Sequence, residues 1–179
     1  MNKQKYIFLD RDGVINHDSS EYIKTPEEWN PIDRSLDAIK NLADNDFQII
    51  IITNQSGINR DLITPDNFMK INVKMLNAIE KSGGSILSML YCPSLPSDEC
   101  QNRKPGSGMF IEISQRLNFN LSDFFSIGDS PRDIDASMAA KCMALGVRTG
   151  NGKIIEEDNI HEIKMFDDLY DAVEFVILQ

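Results

Sequence analysis

The sequence predicts an α/β protein in which a mainly parallel sheet lies between two layers of helices, all in one domain spanning 1–179. Three observations carry the prediction. Short apolar runs alternate with amphipathic helical stretches along the chain. One run, Gln48 to Ile52, holds four consecutive isoleucines, the mark of a strand covered on both faces. No Pro/Gly/Ser-rich linker, internal repeat or low-complexity tract divides the 179 residues, which suffice for one substantial core.

Tyr6-Ile7-Phe8-Leu9 reads as the first buried strand. Ser35 to Ala43 reads as a helix, with Leu36, Ile39, Leu42 and Ala43 at helical spacing. The isoleucine run is the second strand. Thr64 can cap a long helix whose first turn accepts Pro65, and Gly83-Gly84 stops it. Its buried face is predicted to hold Phe68, Ile71, Met75, Leu76 and Ile79. Ser85 to Tyr91 follows as a strand, Gly108 to Leu117 as a helix and Phe124 to Gly128 as a strand. Ser130-Pro131 opens the next helix, with Asp133 placed as in a capping box. Cys142 to Val147 and Ile163 to Phe166 read as strands, and Asp168 to Ile177 as the closing helix.

In such sheets ligands bind beyond the C-terminal ends of the strands. Three apolar strands here end on polar residues: Asp10-Arg11-Asp12, Thr53-Asn54-Gln55-Ser56 and Asp129. Parallel strands gather these at one edge. Together they suit phosphoryl transfer. A carboxylate can attack phosphorus, and a second acid can protonate the leaving oxygen and later activate water. Asp10 and Asp12, two residues apart on an extended chain, can face the same side and divide those tasks. Asp10 and Asp129 offer the hard oxygens that Mg2+ favours. Thr53 and the amides after it can donate to phosphoryl oxygens, and Lys104 offers a compensating cation. Gly13 lets the backbone turn away. Singly, these residues read as turns, caps or a solvated lysine. The set, in order and at strand ends, points to chemistry.

The same residues resemble the haloacid dehalogenase (HAD) phosphatase superfamily. Phe8 to Asn16 matches its first motif, Thr53 its second, Lys104 its third and Gly128 to Asp133 its fourth. Within it, Leu9 to Asn16, Thr53 to Arg60, Cys92-Pro93 and Arg103-Lys104-Pro105 are similar to the heptose 1,7-bisphosphate phosphatase family. The resemblance implies a HAD-like Rossmannoid three-layer α/β/α sandwich. It implies a magnesium-dependent phosphatase that removes the C7 phosphate of a heptose bisphosphate through a phospho-aspartate, in activated-heptose synthesis for lipopolysaccharide. It makes Asp10 the nucleophile and Asp12 the acid/base. Magnesium would be held by Asp10, the Asp12 carbonyl and Asp129. Thr53 and Lys104 would stabilise the phosphoryl group, Asp18 to Glu21, Asn54, Gln55, Ser56 and Arg103 would contact substrate, and Asp133 would orient Lys104.

One departure from the family and the lack of a large cap bear on substrate choice. Where that family carries a zinc loop, this chain has Ser94 and Asn102 beside Cys92 and Cys100, so no structural zinc is expected. His17 and His161 are expected at the surface and Cys142 in the core. The gaps between motifs also leave no room for a large cap domain. Selection then falls to the loops Asn16 to Pro31, where Trp29 is expected as an anchor, and Cys92 to Pro105.

The formal net charge of −10 argues against nucleic-acid and anionic-lipid partners. The apolar run before Asp10 is too short for a signal peptide or membrane span, and the three cysteines make no disulfide framework. A cytoplasmic monomer acting on a small sugar phosphate is the expectation. Histidinol-phosphate phosphatase and a catalytically silent HAD-like binding domain are the alternatives.

Overall fold

A computed structural model describes residues 4–158 and 162–179; His161 lies outside them. Its six strands are all parallel: β1 (Lys5–Leu9), β2 (Phe47–Asn54), β3 (Ser88–Cys92), β4 (Phe125–Gly128), β5 (Met143–Val147) and β6 (Lys164–Phe166), in the spatial order β3-β2-β1-β4-β5-β6. The helices are α1 (Ser35–Asp44), α2 (Pro65–Ser82), α3 (Gly108–Leu117), α4 (Pro131–Ala139), α5 (Gly152–Asp158) and α6 (Leu169–Ile177).

The period-two alternation of strands sorts the core into two halves. Ile7 and Leu9 of β1, with Ile49 and Ile51 of β2, pack under α1, α2 and α6. Phe8 of β1, with Ile50 and Ile52 of β2, packs under α3 and α4. The isoleucine run is thus covered on both sides, as its composition predicts. Among the described residues no helix is long and apolar enough to cross a membrane.

Several boundaries differ from the sequence reading. β2 runs on through Thr53 and Asn54, because these pair with Tyr91 and Cys92 of β3. β3 starts at Ser88 rather than Ser85. On α2 the buried residues are Phe68, Ile71, Met75 and Ile79, whereas Leu76 is 41% exposed, one position past the stripe. Helix α5 has no counterpart in the sequence reading. Trp29 is buried, and Lys74 of α2 donates to the carbonyls of Pro26 and Trp29 at 2.6 Å each, fastening the loop that follows β1.

Candidate active site

The strand order reverses beside β1, whose neighbours are β2 and β4. A crevice opens at such a switch point. It collects Asp10 after β1, Thr53 at the end of β2 and Asp129 after β4. The Asp10 amide continues the ladder to the Ile127 carbonyl at 3.0 Å. Gly13 turns the chain away at φ +83°, and a Cβ there would stand 2.0 Å from Asp129 Oδ2. A Cβ at Gly150 would stand 2.1 Å from the same atom. Two backbones therefore close over the Asp129 carboxylate, which tolerates only glycine on either side.

Lys104 is buried at the centre. Its ammonium lies 2.9 Å from Asp10 Oδ1 and 2.6 Å from Asp133 Oδ1, and it donates to the Ile52 carbonyl at 2.8 Å. Burial opposes its charge, but the two carboxylates outweigh that and hold it above the usual lysine range. Asn54 sets its position: the side chain accepts from the Lys104 amide and donates to the Lys104 carbonyl, each at 3.0 Å. Asp133 accepts from the amide and hydroxyl of Ser130 in a capping box. It serves as both helix cap and counter-ion. Burial pushes its carboxyl up, but Lys104 and Ser130 hold it below the ordinary range.

Asp12 has its own partners. Arg11, 1% exposed, forks onto it at 3.0 and 2.9 Å. Asn16 donates to Oδ1 at 2.9 Å and Gln55 to Oδ2 at 2.7 Å. Burial raises this carboxyl, yet Arg11 and the two amide donors, Asn16 and Gln55, prevail and keep it below the ordinary range. Gln55 also donates to Thr53 Oγ1 at 3.1 Å, leaving the hydroxyl proton of Thr53 free to point into the cleft.

Asp10, Asp129 and Asp133 bring carboxylate oxygens within 4.8 Å of one another. Burial comes first, then neighbouring carboxylates, in raising Asp10 to about 6 and Asp129 to about 8, Lys104 partly opposing this at Asp10. Crowded hard oxygens that resist ionisation together fit a divalent cation such as magnesium. Asp133, engaged by Lys104 and Ser130, leaves Asp10 and Asp129 as the carboxylates free to bind one. Asn151 steadies Asp129 through its amide at 2.8 Å, and its side chain reaches Asp18 at 3.0 Å.

A cleft of about 280 Å³ opens onto this centre. Of the substrate-contact residues expected from sequence, Asp18, Asn54, Gln55, Ser56 and Arg103 line it. Glu21 does not: the turn closed by the Tyr22 amide on the Ser19 carbonyl leaves Glu21 exposed, and Tyr22 and Ile23 line the wall instead. Arg60 and Arg132 join Arg103 on that wall. Burial, then Arg132 and Arg60, lower the pKa of Arg103, so three cations crowd one side of the cleft. Arg60 and Arg132 sit inside the matched motif runs yet had no assigned role. Asn151 carried no sequence signal. In the second loop, Cys92 and Cys100 bring their sulfurs to 3.7 Å.

A family model described as Polynucleotide kinase 3 phosphatase matches residues 5–143. A D-glycero-beta-D-manno-heptose-1,7-bisphosphate 7-phosphatase of Neisseria meningitidis serogroup A is 36% identical over 177 residues, covering 97% of this chain and 95% of the relative. The enzyme of that name from Bordetella bronchiseptica is 40% identical over 149 residues, 83% of each chain. The crystal structure of the D,D-heptose 1,7-bisphosphate phosphatase from B. bronchiseptica, complexed with magnesium and phosphate, superposes with a TM-score of 0.94 at 36% identity, covering 97% of this chain and 98% of that one.

Proposed function

The chain belongs to the D-glycero-D-manno-heptose-1,7-bisphosphate 7-phosphatase family of HAD phosphatases, and from that premise we propose that it removes the C7 phosphate of the heptose bisphosphate and releases heptose 1-phosphate. The observation that carries this reading is the convergence of Asp10, Asp12, Thr53, Lys104 and the Asp129 pocket at one switch point of the sheet.

Asp10 attacks phosphorus, and the bond from phosphorus to the sugar oxygen breaks. Asp12 gives that oxygen a proton. Arg11 keeps Asp12 ionised at rest, but an entering phosphoryl dianion disfavours a neighbouring carboxylate and so favours proton uptake there. Asp12 then takes a proton from water, which attacks phosphorus and frees Asp10 and phosphate. Thr53 and Lys104 offset charge on the phosphoryl oxygens. Magnesium, held by Asp10, Asp129 and the Asp12 carbonyl, would supply further positive charge there.

The phosphate that remains on the sugar requires a second anion site. Arg60, Arg103 and Arg132 provide it on the wall of the cleft, while Asp18 and Ser56 offer partners for sugar hydroxyls. A nucleic-acid substrate is disfavoured by the net charge of −10. The enzyme acts in the cytoplasm as a monomer, supplies activated-heptose synthesis for lipopolysaccharide, and needs no zinc in the Cys92–Asn102 loop.

The test is phosphate release from heptose bisphosphate, histidinol phosphate and a sugar-monophosphate panel with magnesium, beside Asp10→Asn. Turnover of the bisphosphate above the rest, abolished in a folded Asp10→Asn protein, is the expected result. An active Asp10→Asn variant would refute the mechanism, and preference for histidinol phosphate would refute the substrate.

A further inference from the structure

Two thiols stand together beside the cleft with no catalytic task. Cys92 is the last residue of β3 and is 2% exposed. Cys100 lies in the loop that follows and is partly exposed. Their sulfurs are 3.7 Å apart. The intervening loop is compact: Asp98 accepts from the Leu95 amide at 2.7 Å, and Arg103 donates to the Ser94 carbonyl at 2.8 Å. The Arg103 amide donates to the Cys100 carbonyl at 3.2 Å. Little movement therefore separates the contact from a bond. Cys100 also lines an open surface depression together with Arg103 and Arg132 and with the acidic Asp98 and Glu99. A small reagent that carries both carboxylates and ammonium groups can enter there and meet two arginines and two carboxylates near the thiol.

We propose that Cys92 and Cys100 are a reversible dithiol–disulfide site, oxidised by a small anionic disulfide of the glutathione class through Cys100. The Cys100 thiolate attacks one sulfur of the reagent disulfide. That bond breaks, a mixed disulfide forms, and one glutathione leaves as its thiolate and takes a proton. Cys92, losing its proton to water, attacks Cys100 Sγ and expels the second glutathione. The two protein thiols are oxidised by two electrons, and one reagent disulfide is reduced to two thiols. The local chemistry assigns the first step. Hydrogen bonds from Ser94 and then from the Asn102 backbone hold the Cys100 thiol below its ordinary range. Cys142, by contrast, is pushed up to about 12 by burial and serves as an internal inert thiol. The product cross-link ties the end of β3 to the segment that delivers Arg103 and Lys104 to the cleft. It performs the bracing role that a metal-bound loop would perform, in a form set by redox poise.

The experiment incubates the full chain with oxidised glutathione at graded ratios to reduced glutathione, without added metal. Thiols are then counted in denaturant and the intact mass recorded. The expected result is loss of two of the three thiols, a mass lower by two hydrogens, and recovery with dithiothreitol. The melting temperature should rise by about 5 °C, since the cross-link restricts the unfolded chain. Cys92→Ala should stop at a stable glutathione adduct on Cys100, and Cys100→Ser should stay unmodified. Three thiols retained under oxidising ratios, a wild-type protein that keeps its adduct, or equimolar zinc bound by the pair would each overturn the proposal. None of these readouts depends on phosphatase activity, so the catalytic reading can fail without touching this one.

Discussion

Asp129→Asn is expected to stabilise the metal-free protein while ending its activity. Asp129 is 1% exposed and shares its pocket with Asp10 and Asp133. Burial, followed by the charges of Asp10 and Asp133, raises its pKa from 3.8 to about 8. A carboxyl whose pKa is higher folded than unfolded supports the fold below the unfolded value. It loses that support as pH rises towards the folded value. Each unit is ~1.36 kcal/mol, so a span of roughly four units sets a ceiling of ~5 kcal/mol. Relaxation, water entry and the new amide's own fit reduce this to about 2 kcal/mol. Asn keeps a carbonyl to accept from the Asn151 amide, so the existing bond survives. For a chain of this size the shift in melting temperature is roughly 4–8 °C. Thermal unfolding in chelator should show near-equal stability at about pH 4 and a widening advantage for the variant up to about pH 8. Magnesium should raise the melting temperature of the wild type and leave the variant nearly unmoved. A variant no more stable than wild type near pH 8, or an advantage equally large near pH 4, would refute the reasoning.

Other perturbations separate the parts of the site. Lys104→Met leaves Asp10 and Asp133 without their shared cation and should cost about 3–5 kcal/mol in urea unfolding near neutral pH. Stability equal to wild type would show that the pairing contributes nothing. Asn151→Ala cuts the link from Asp129 to Asp18 but spares the backbone bond. Steady-state kinetics should show KM for the bisphosphate rising several-fold with kcat little changed. A fall in kcat alone would count against a positioning role. Arg132→Ala should raise KM for the bisphosphate at least ~10-fold, the scale of a lost charge-assisted bond, and hardly alter a monophosphate. Equal effects on both would remove Arg132 from the second anion site.

What the sequence disclosed follows a physical pattern. Asp10, Thr53 and Asp129 were legible because each ends an apolar run, and strand direction alone sends all three to one edge. Lys104 read from the residues as a compensating cation, but nothing local showed how it would reach the centre. It reaches the centre because Asn54, fifty residues earlier, grips its peptide, and no local pattern reports such a contact. Glu21 lies off the cleft wall because the loop turns at Ser19 and Tyr22, and acidic residues in a loop give no sign of which side faces a cleft. Helix α5 escaped notice because seven residues are too few to display a period. Leu76 went to the wrong side because a stripe drifts by a fraction of a residue each turn.

Charge counting joins the stability of the centre to its chemistry. Asp12 is balanced by Arg11. The other three carboxylates, Asp10, Asp129 and Asp133, share one cation, Lys104. When all are ionised, three negative charges against one positive leave an excess of two within a buried space. Protonation of Asp129 relieves part of that excess in the metal-free protein, at a cost that grows with pH. Held by Asp10 and Asp129, a divalent cation would relieve all of it and would leave Asp10 ionised. The pocket therefore carries a charge deficit that only a doubly charged ion matches, and the instability expected of the metal-free wild type is the energetic signature of that deficit. Neutralising Asp129 by mutation should relieve the fold and weaken the proposed metal site, so stability and activity should move in opposite directions at this one position.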